Sequence, residues 1–325
     1  MTVSVTPVFD SYWRFATARQ AIFYRRLIDP LGPWTDDSIL RSYRFTNVYR
    51  ASDRVSQYLI REVQYRSDRP QTPTEIFFRT LLLKIFNRIE TWEEIERQTG
   101  PIAWERVDLD TIVRTLGSML ERGLPIYSGA YIMPSPPFGY RRKHENHLAL
   151  LAQMMNDGLP DRVQRASSLK AVYEMLASYA GIGRFLAFQY CIDLNYSTFL
   201  DFDEADFVVA GPGAVDGIAK CFASTGGMTP EEIIRWTSDR QQVEFARLGL
   251  KFQDLFGRRL QPVDCQNIYC EISKYARVSH PEVAGSSGRT RIKQVFRRNP
   301  RPLPQPMYPP KWGISVSLGS DSGAV

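Results

Sequence analysis

Residues 177–197, ASYAGIGRFLAFQYCIDLNYS, and residues 202–222, FDEADFVVAGPGAVDGIAKCF, predict a helical hairpin followed by an acidic segment. In the first segment, one helix ends near Tyr179, a tight turn follows at Gly181-Ile182-Gly183, and a second apolar helix starts at Arg184. The two glycines permit positive φ and leave backbone N–H groups unshielded. Because those N–H groups lie at the start of a helix, they form an anion site that fits a DNA phosphate. A glycine turn of this kind is also typical of an ordinary connection between helices.

An acidic cluster lies where the second segment begins, at the predicted start of the next helix: Asp201, Asp203, Glu204 and Asp206. The hairpin and this cluster together resemble the helix-hairpin-helix DNA glycosylase superfamily, whose pattern is Gly-hydrophobic-Gly and then a catalytic Asp. The resemblance makes Asp203 or Asp206 the candidate catalytic residue. Asp203 lies twenty residues after Gly183, which is the superfamily spacing. Asp206 precedes an apolar run and fits the start of a helix that packs inward, so we favour Asp206.

The bulk composition indicates a globular chain. An apolar fraction of 43% with 12% aromatic residues supports a packed core. The net charge of +6 and the isoelectric point near 9.1 favour a polyanionic partner. The four cysteines form no CxxC pair, which argues against a zinc site or an iron–sulfur cluster and favours a reducing cytoplasm. No apolar run has the length of a membrane span. We therefore expect a cytoplasmic monomer with no cofactor and no metal.

Two segments carry polar side chains at helical spacing. Residues 45–60 predict a helix, and its polar residues recur at steps of three and four, which places them on one face: Asn47, Arg50, Asp53, Arg54 and Gln57. Residues 264–277 predict a second helix that presents Asn267, Glu271 and Lys274 in the same way. Such faces suit phosphates and base edges. They are equally typical of a solvated surface with Arg–Asp or Glu–Lys pairs.

Two further segments predict contacts with DNA. Residues 75–98 read as an apolar helix that breaks around residues 87–91, and the polar turn places Asn87 and Arg88 where they can reach the duplex. Residues 123–143 predict a long loop rich in Gly, Pro and aromatic residues, which ends in Arg141, Arg142 and Lys143. The alternatives are an ordinary helix end and a loop that packs on the body through its own aromatic residues.

The chain changes character after residue 284. Residues 1–284 predict one all-helical domain with two lobes, with the hairpin near residues 176–222. Residues 285–325 predict a flexible, basic and proline-rich tail with a disordered end. Such a tail binds DNA through phosphates or is simply a solvated terminus, and the sequence favours neither.

Three signatures together resemble a known family: FTNVYRASDRVSQYLI, the IFNRIETW turn with YAGIGRFLAFQY, and QNIYCEISKYAR. This all-helical family includes the helical domain of hydroxymethyluracil DNA kinases and the glutamyl/putrescinyl-thymine pyrophosphorylases, and it is regarded as a branch of the helix-hairpin-helix DNA glycosylase superfamily. The resemblance implies a mostly α, two-lobed, glycosylase-like fold that acts on a modified base in phage-type DNA. It also implies substrate-binding residues, namely Asn47, Arg50, Asp53, Arg54, Asn267, Glu271 and Lys274. Gln57, on the same predicted polar face as Asn47, is a further candidate.

Two departures from the pattern shape the expected chemistry. The sequence has no Walker A pattern, so a kinase activity would not belong to this chain acting alone. Bifunctional glycosylases have a nucleophilic Lys two residues beyond the hairpin glycine, where this chain has Phe185. That difference favours a monofunctional enzyme that uses water or another nucleophile.

The leading hypothesis is therefore a DNA glycosylase that flips a bulky modified pyrimidine out of double-stranded DNA and hydrolyses its glycosidic bond, as an antiviral defence. The chosen Asp would stabilise the positive charge that develops on the sugar. The alternative is a transferase that displaces pyrophosphate from an activated hydroxymethylpyrimidine with an amino acid or amine. A third hypothesis is a DNA-binding module without catalysis.

Overall fold

The computed structural model describes residues 2–131 and 133–317, and in these residues the chain folds into thirteen α-helices and one two-stranded sheet. The helices are α1 (Pro7–Ile28), α2 (Ser38–Ser42), α3 (Arg54–Tyr58), α4 (Pro73–Phe86), α5 (Ile89–Thr99), α6 (Leu109–Glu121), α7 (Lys143–Asn156), α8 (Leu159–Gln164), α9 (Leu169–Ala177), α10 (Arg184–Asn195), α11 (Pro212–Cys221), α12 (Pro230–Arg247) and α13 (Pro262–Ser279). The strands are β1 (Val3–Val5) and β2 (Phe222–Thr225), which pair antiparallel. The prediction of a mostly α fold is confirmed. The predicted disordered end lies outside the described residues from 318 onward.

The chain divides into two compact units. Unit 1 is made of Met1–Asp53 together with Phe207–Val325, and unit 2 is Arg54–Asp206. None of the described helices combines the length and the apolar character that crossing a membrane requires.

Unit 1 is packed around α13, which contacts α11, α1 and α12. The approach of α11 to α13 is unusually close, because a Cβ atom on Gly217 would lie 2.0 Å from the carbonyl oxygen of Tyr269. Only glycine fits there without moving a helix. Aromatic side chains fill the space between α1 and α13, where the Tyr12 and Tyr269 rings lie 4.6 Å apart between centroids. The position of α13 is therefore determined by packing on three sides.

Unit 2 is packed around α4, which is buried along most of its length and contacts α7, α8 and α10. The predicted break after this helix is confirmed: Asn87 adopts a left-handed conformation (φ 49°) and ends α4, and α5 starts two residues later. Two helices joined by a turn lie where the hairpin was expected, since α9 ends at Ala177 and α10 starts at Arg184. Gly181 has φ +88° in the connecting turn, a conformation that side chains rarely adopt.

The prediction of one helix over residues 45–60 is wrong. The chain is irregular up to Tyr49, makes a 3₁₀ turn at Arg50–Ser52, and then forms the short α3 and a π-helical segment, Leu59–Gln64. The reason is local side-chain bonding: Asp53 Oδ1 accepts from Asn47 N (2.8 Å), and Asn47 Nδ2 donates to Ser52 O (2.6 Å). Asn and Asp side chains that bond nearby backbone groups compete with helical hydrogen bonds.

The prediction of a helix start at the acidic cluster is also wrong. Asp203 and Asp206 lie in a turn, and α11 begins only at Pro212. Asp203 Oδ1 accepts from Ala205 N (2.8 Å), which closes a local turn. Proline is favoured at the first position of a helix, and Pro212 supplies that start signal later in the chain.

The close approach of α11 to α13 gives a test of the packing of unit 1. The change Gly217→Ala should destabilise the protein by about 1–3 kcal/mol, since the added methyl group forces two packed helices apart. Chemical unfolding of both proteins would measure the difference. Gly129→Ala is the matched control, because nothing lies within 4 Å of a Cβ at that position. Equal stabilities of the two variants would contradict the described packing.

Candidate functional site

Two of the three signature segments meet in unit 1. The irregular residues 45–47 lie against α13, where Glu271 Oε2 accepts from Thr46 N (3.1 Å) and Asn267 Nδ2 donates to Asn47 O (2.7 Å). The hydroxyl of Thr46 also donates to Asn267 Oδ1 (3.3 Å). The structure therefore brings Asn47, Asn267 and Glu271 together, although the segment that carries Asn47 is not a helix.

Lys274 completes the polar face of α13. Its Nζ lies 2.6 Å from Glu271 Oε2 and 5.3 Å from the centroid of the Phe45 ring. Glu271 is buried and Lys274 is half-buried. Since both partners are largely withdrawn from water, this pair differs from an exposed salt bridge, which contributes little. We call the group Asn47, Asp53, Asn267, Glu271 and Lys274 the signature site.

Arg19 of α1 also belongs to the signature site, and the sequence analysis missed it. Its Nη2 donates to Asn47 Oδ1 (2.6 Å). Burial lowers the pKa of Arg19 to about 10, against the charges of Asp53 and Glu271, which raise it. Its spacing in the sequence could have indicated its burial. Arg19 follows the buried Phe15 by four residues and so lies on the same side of the helix.

The pKa of Asp53 is displaced from its ordinary value. Burial raises the pKa of Asp53 to about 6, although the bond from Asn47 N and the charge of Arg19 lower it. The carboxyl therefore changes charge near neutral pH.

Arg50 lies next to these residues but is turned into the unit. It is 2% exposed, and its backbone N–H donates to Asp264 Oδ1 (2.9 Å). Asp264 Oδ2 accepts from Gln261 N (3.0 Å) as part of the cap of α13. Asp264 thus ties the 3₁₀ turn to the start of the helix. Arg50 was expected on an exposed polar face, where it could contact a phosphate. Its burial argues against that contact.

Arg54 and Gln57 lie in unit 2 and do not share a helical face with Asn47, because that helix does not form. The side chain of Arg54 is 70% exposed, and its Nη2 lies 2.7 Å from Glu90 Oε1. Gln57 is half-buried in α3. Their role in substrate binding stays a prediction.

The residues predicted to contact DNA fall into buried and exposed groups. Asn87 is 5% exposed, accepts from Lys84 Nζ (2.8 Å) and donates to Ser128 Oγ (3.1 Å), so its amide is engaged inside unit 2. Arg88 is half-buried beside Glu90. The exposed or half-buried candidates at the hairpin and the loop end are Gly181, Gly183, Arg184, Arg141, Arg142 and Lys143. Their contacts with DNA stay predictions.

Unit 2 contains a buried ion pair that the sequence analysis also missed. Lys84 Nζ of α4 lies 3.4 Å from Asp193 Oδ2 of α10, with side-chain exposures of 3% and 0%. The ring of Tyr131, a residue with φ 56°, lies 5.2 Å from the same amine. The signal was a single charge inside each of the apolar runs LLLKIF and YCIDL. Buried pairs are weak evidence for stability and leave a charge uncompensated when one partner is removed. In the described part of the chain, no three His, Cys, Asp or Glu side chains are placed to share a metal ion.

Comparisons with known proteins identify the family of this chain. Residues 6–285 match the family model described as "5-hmdU DNA kinase, helical domain". A 5-hmdU DNA kinase from Bacillus phage SP10 is 27% identical over 289 residues, which are 82% of this chain and 45% of the relative. The chain thus spans about half the length of this curated relative. No solved structure matches it.

These matches overturn the leading functional hypothesis. A DNA glycosylase would cut the bond between base and sugar, whereas the relative is named as a kinase. The expected hydrolase is therefore wrong, and the choice of Asp203 or Asp206 as the catalytic residue loses the reaction on which it depended. The alternative of a transferase that displaces pyrophosphate with an amine is wrong as well, because it is not kinase activity.

The displaced pKa of Asp53 gives a direct test of the signature site. Its carboxyl should titrate near pH 6 in a carbon-13 NMR experiment, and Arg19→Gln should move the midpoint higher, because the charge of Arg19 lowers the pKa. Since the folded pKa lies above the ordinary value, protonation stabilises the fold at acid pH, and this gain is lost as the pH rises through about 6. Arg14→Gln on the exposed side of α1 is the control. A midpoint near pH 4 in all three proteins would refute the arrangement.

Proposed function

Because the chain belongs to the family of the 5-hmdU DNA kinase helical domain, we propose that it binds DNA that contains 5-hydroxymethyldeoxyuridine and holds this nucleoside for phosphorylation. The phosphate donor is bound by a further domain or a separate chain. The observation that carries the proposal is the meeting of two signature segments at the signature site.

The chemistry of the site suits this base. 5-Hydroxymethyluracil differs from thymine by one hydroxyl group, so a protein that separates them needs hydrogen-bonding partners for that hydroxyl. A site built to bind a hydroxyl rejects the analogue that lacks it far better than an apolar pocket does. The amide and carboxylate oxygens of Asn267, Asn47 and Glu271 meet at one place. An oxygen that already accepts one hydrogen bond has a second lone pair, which can accept from the hydroxyl of the base. Asn47 and Asn267 are half-buried and so accessible in part.

Access to the modified group does not require the base to leave the helix. The C5 substituent of a pyrimidine projects into the major groove, so its hydroxyl can be reached in stacked DNA. The base flipping that a glycosylase needs is therefore not part of this proposal. The exposed candidates in unit 2, at the hairpin and at residues 141–143, would contact phosphates, which position a protein on DNA without reading sequence.

Two observations support separate binding sites for the phosphate donor and for the acceptor base: the length of the relative and the sequence of this chain. Phosphoryl transfer relies on groups that cradle the donor phosphates and neutralise developing charge. This sequence lacks the Walker A pattern, and the match covers 45% of the kinase. The helical part would thus read the acceptor, and the donor site would lie elsewhere.

Binding to matched duplexes tests the proposal. The protein should prefer a duplex with one 5-hydroxymethyluracil over the same duplex with thymine by about two- to tenfold, the range for one hydrogen bond of about 0.5–1.5 kcal/mol. Asn267→Ala should remove this preference and retain binding to the thymine duplex. Gln253→Ala, at an exposed loop position of unit 1, should change neither affinity. Equal affinity of the unaltered protein for both duplexes would rule out recognition of the hydroxyl.

A further inference from the structure

Residues 286–312 form a basic segment along unit 1, which we call the strap. It holds seven Lys and Arg residues and no Asp or Glu. Six of the seven are exposed: Arg289, Arg291, Lys293, Arg297, Arg298 and Arg301. The match to the family model ends at residue 285, so the strap lies outside the region that defines the family.

The strap is attached to unit 1 near its start by backbone bonds. Tyr43 and Val295 form an antiparallel bridge, flanked by bonds from Arg44 N to Gln294 O and from Phe296 N to Ser42 O, both 2.9 Å. Ile292 is 8% exposed, so an apolar side chain of the strap is also buried. This part of the strap therefore has a defined position on unit 1.

A second anchor lies near its end. Tyr308 is 6% exposed, and its hydroxyl lies 2.8 Å from Ser52 Oγ. The Tyr308 ring stacks on Trp312, and the guanidinium of Arg258 lies 3.9 Å from the centroid of the Trp312 ring. Three of the exposed basic residues, Arg297, Arg298 and Arg301, lie between the two anchors, and the other three lie at or just before the first anchor.

The two anchors contact the chain on either side of Asn47, at residues 42–44 and at Ser52. Residues 42–44 lead directly into Phe45, and Ser52 O accepts from Asn47 Nδ2 (2.6 Å). The strap therefore contacts the chain at residues 42–44 and at Ser52, before and after the residues that meet α13.

We propose that the strap is a DNA-binding surface that contacts the phosphates of the duplex beside the bound base, at a fixed distance from the signature site. The proposal rests on the proposed function for the identity of the partner. Clustered exposed Arg and Lys without acidic residues provide the charge that phosphate binding requires. Membrane-surface segments combine such charge with an amphipathic apolar face, whereas the strap buries Ile292 and Tyr308 inside the unit.

The charge of the strap is tested with a fourfold variant, Arg291→Gln, Lys293→Gln, Arg297→Gln and Arg301→Gln. Affinity for a thymine duplex should fall, and the slope of log affinity against log salt should flatten by up to about 3.6, or about 0.9 for each phosphate that the variant no longer neutralises. A control removes equal charge from exposed positions of unit 2: Arg106→Gln, Arg114→Gln, Arg122→Gln and Lys170→Gln. An equal decrease of affinity in both variants would overturn the proposal, since net charge would explain it.

The anchor is tested with Tyr308→Phe, which removes one hydroxyl and leaves the charge unchanged. Binding to the thymine duplex should be retained, and the preference for the 5-hydroxymethyluracil duplex should decrease, because Ser52 and Asn47 lose their brace. An unchanged preference would overturn the bracing role. Tighter binding of the unaltered protein to anionic phospholipid vesicles or to RNA than to duplex DNA would overturn the choice of partner.

The two proposals fail in different ways. If the strap variant loses salt dependence while the protein shows no preference for the modified base, the strap is upheld and the proposed function is not. If the protein prefers the modified base and the strap variant binds the thymine duplex like the unaltered protein, the proposed function is upheld and the role of the strap is not.

Discussion

The hydrogen bonds from α13 to residues 46 and 47 are the constraint on which the signature site depends. These residues have no secondary structure of their own, and their backbone is held by Asn267 and Glu271. The helix itself is positioned by packing against three neighbours, with Gly217 allowing α11 to approach the Tyr269 carbonyl closely. A site on a rigid element keeps its geometry better than one on a free loop. Through the side chains of Asn267 and Glu271, α13 thus fixes the position of residues 46 and 47.

The sequence predicted the helices that follow simple patterns. The hairpin at Gly181–Gly183, the break at Asn87 and the polar face of α13 are all found in the structure. The helix predicted over residues 45–60 does not form. Periodicity does not reveal that the side chains of Asn47 and Asp53 bond to backbone groups instead of facing solvent. Arg19 and the pair Lys84 and Asp193 were missed because a charge that is buried by tertiary contacts looks the same in sequence as an exposed one.

The functional error has a similar cause. Two helices joined by a glycine turn are present, but the carboxylate that should complete a glycosylase site was chosen from the sequence alone. Asp203 was a candidate for its distance from Gly183, and Asp206 for the apolar run that follows it. Asp203 and Asp206 lie in an exposed turn, and the matched relative is a kinase. A hairpin with a nearby acid therefore did not specify the reaction, since the same helical framework can carry different sites. The two segments that meet at α13 are a better indication of where the functional site lies, because they are distant in sequence and close in space.

The central claim is that the C5 substituent of the modified pyrimidine lies at the signature site, and photocrosslinking tests it most directly. A duplex with 5-iodouracil in place of the modified base carries a photoreactive atom at the C5 position. After irradiation and digestion, mass spectrometry should find the crosslink on residues 45–53 or 264–277 of unit 1. Crosslinks confined to unit 2 would contradict the account.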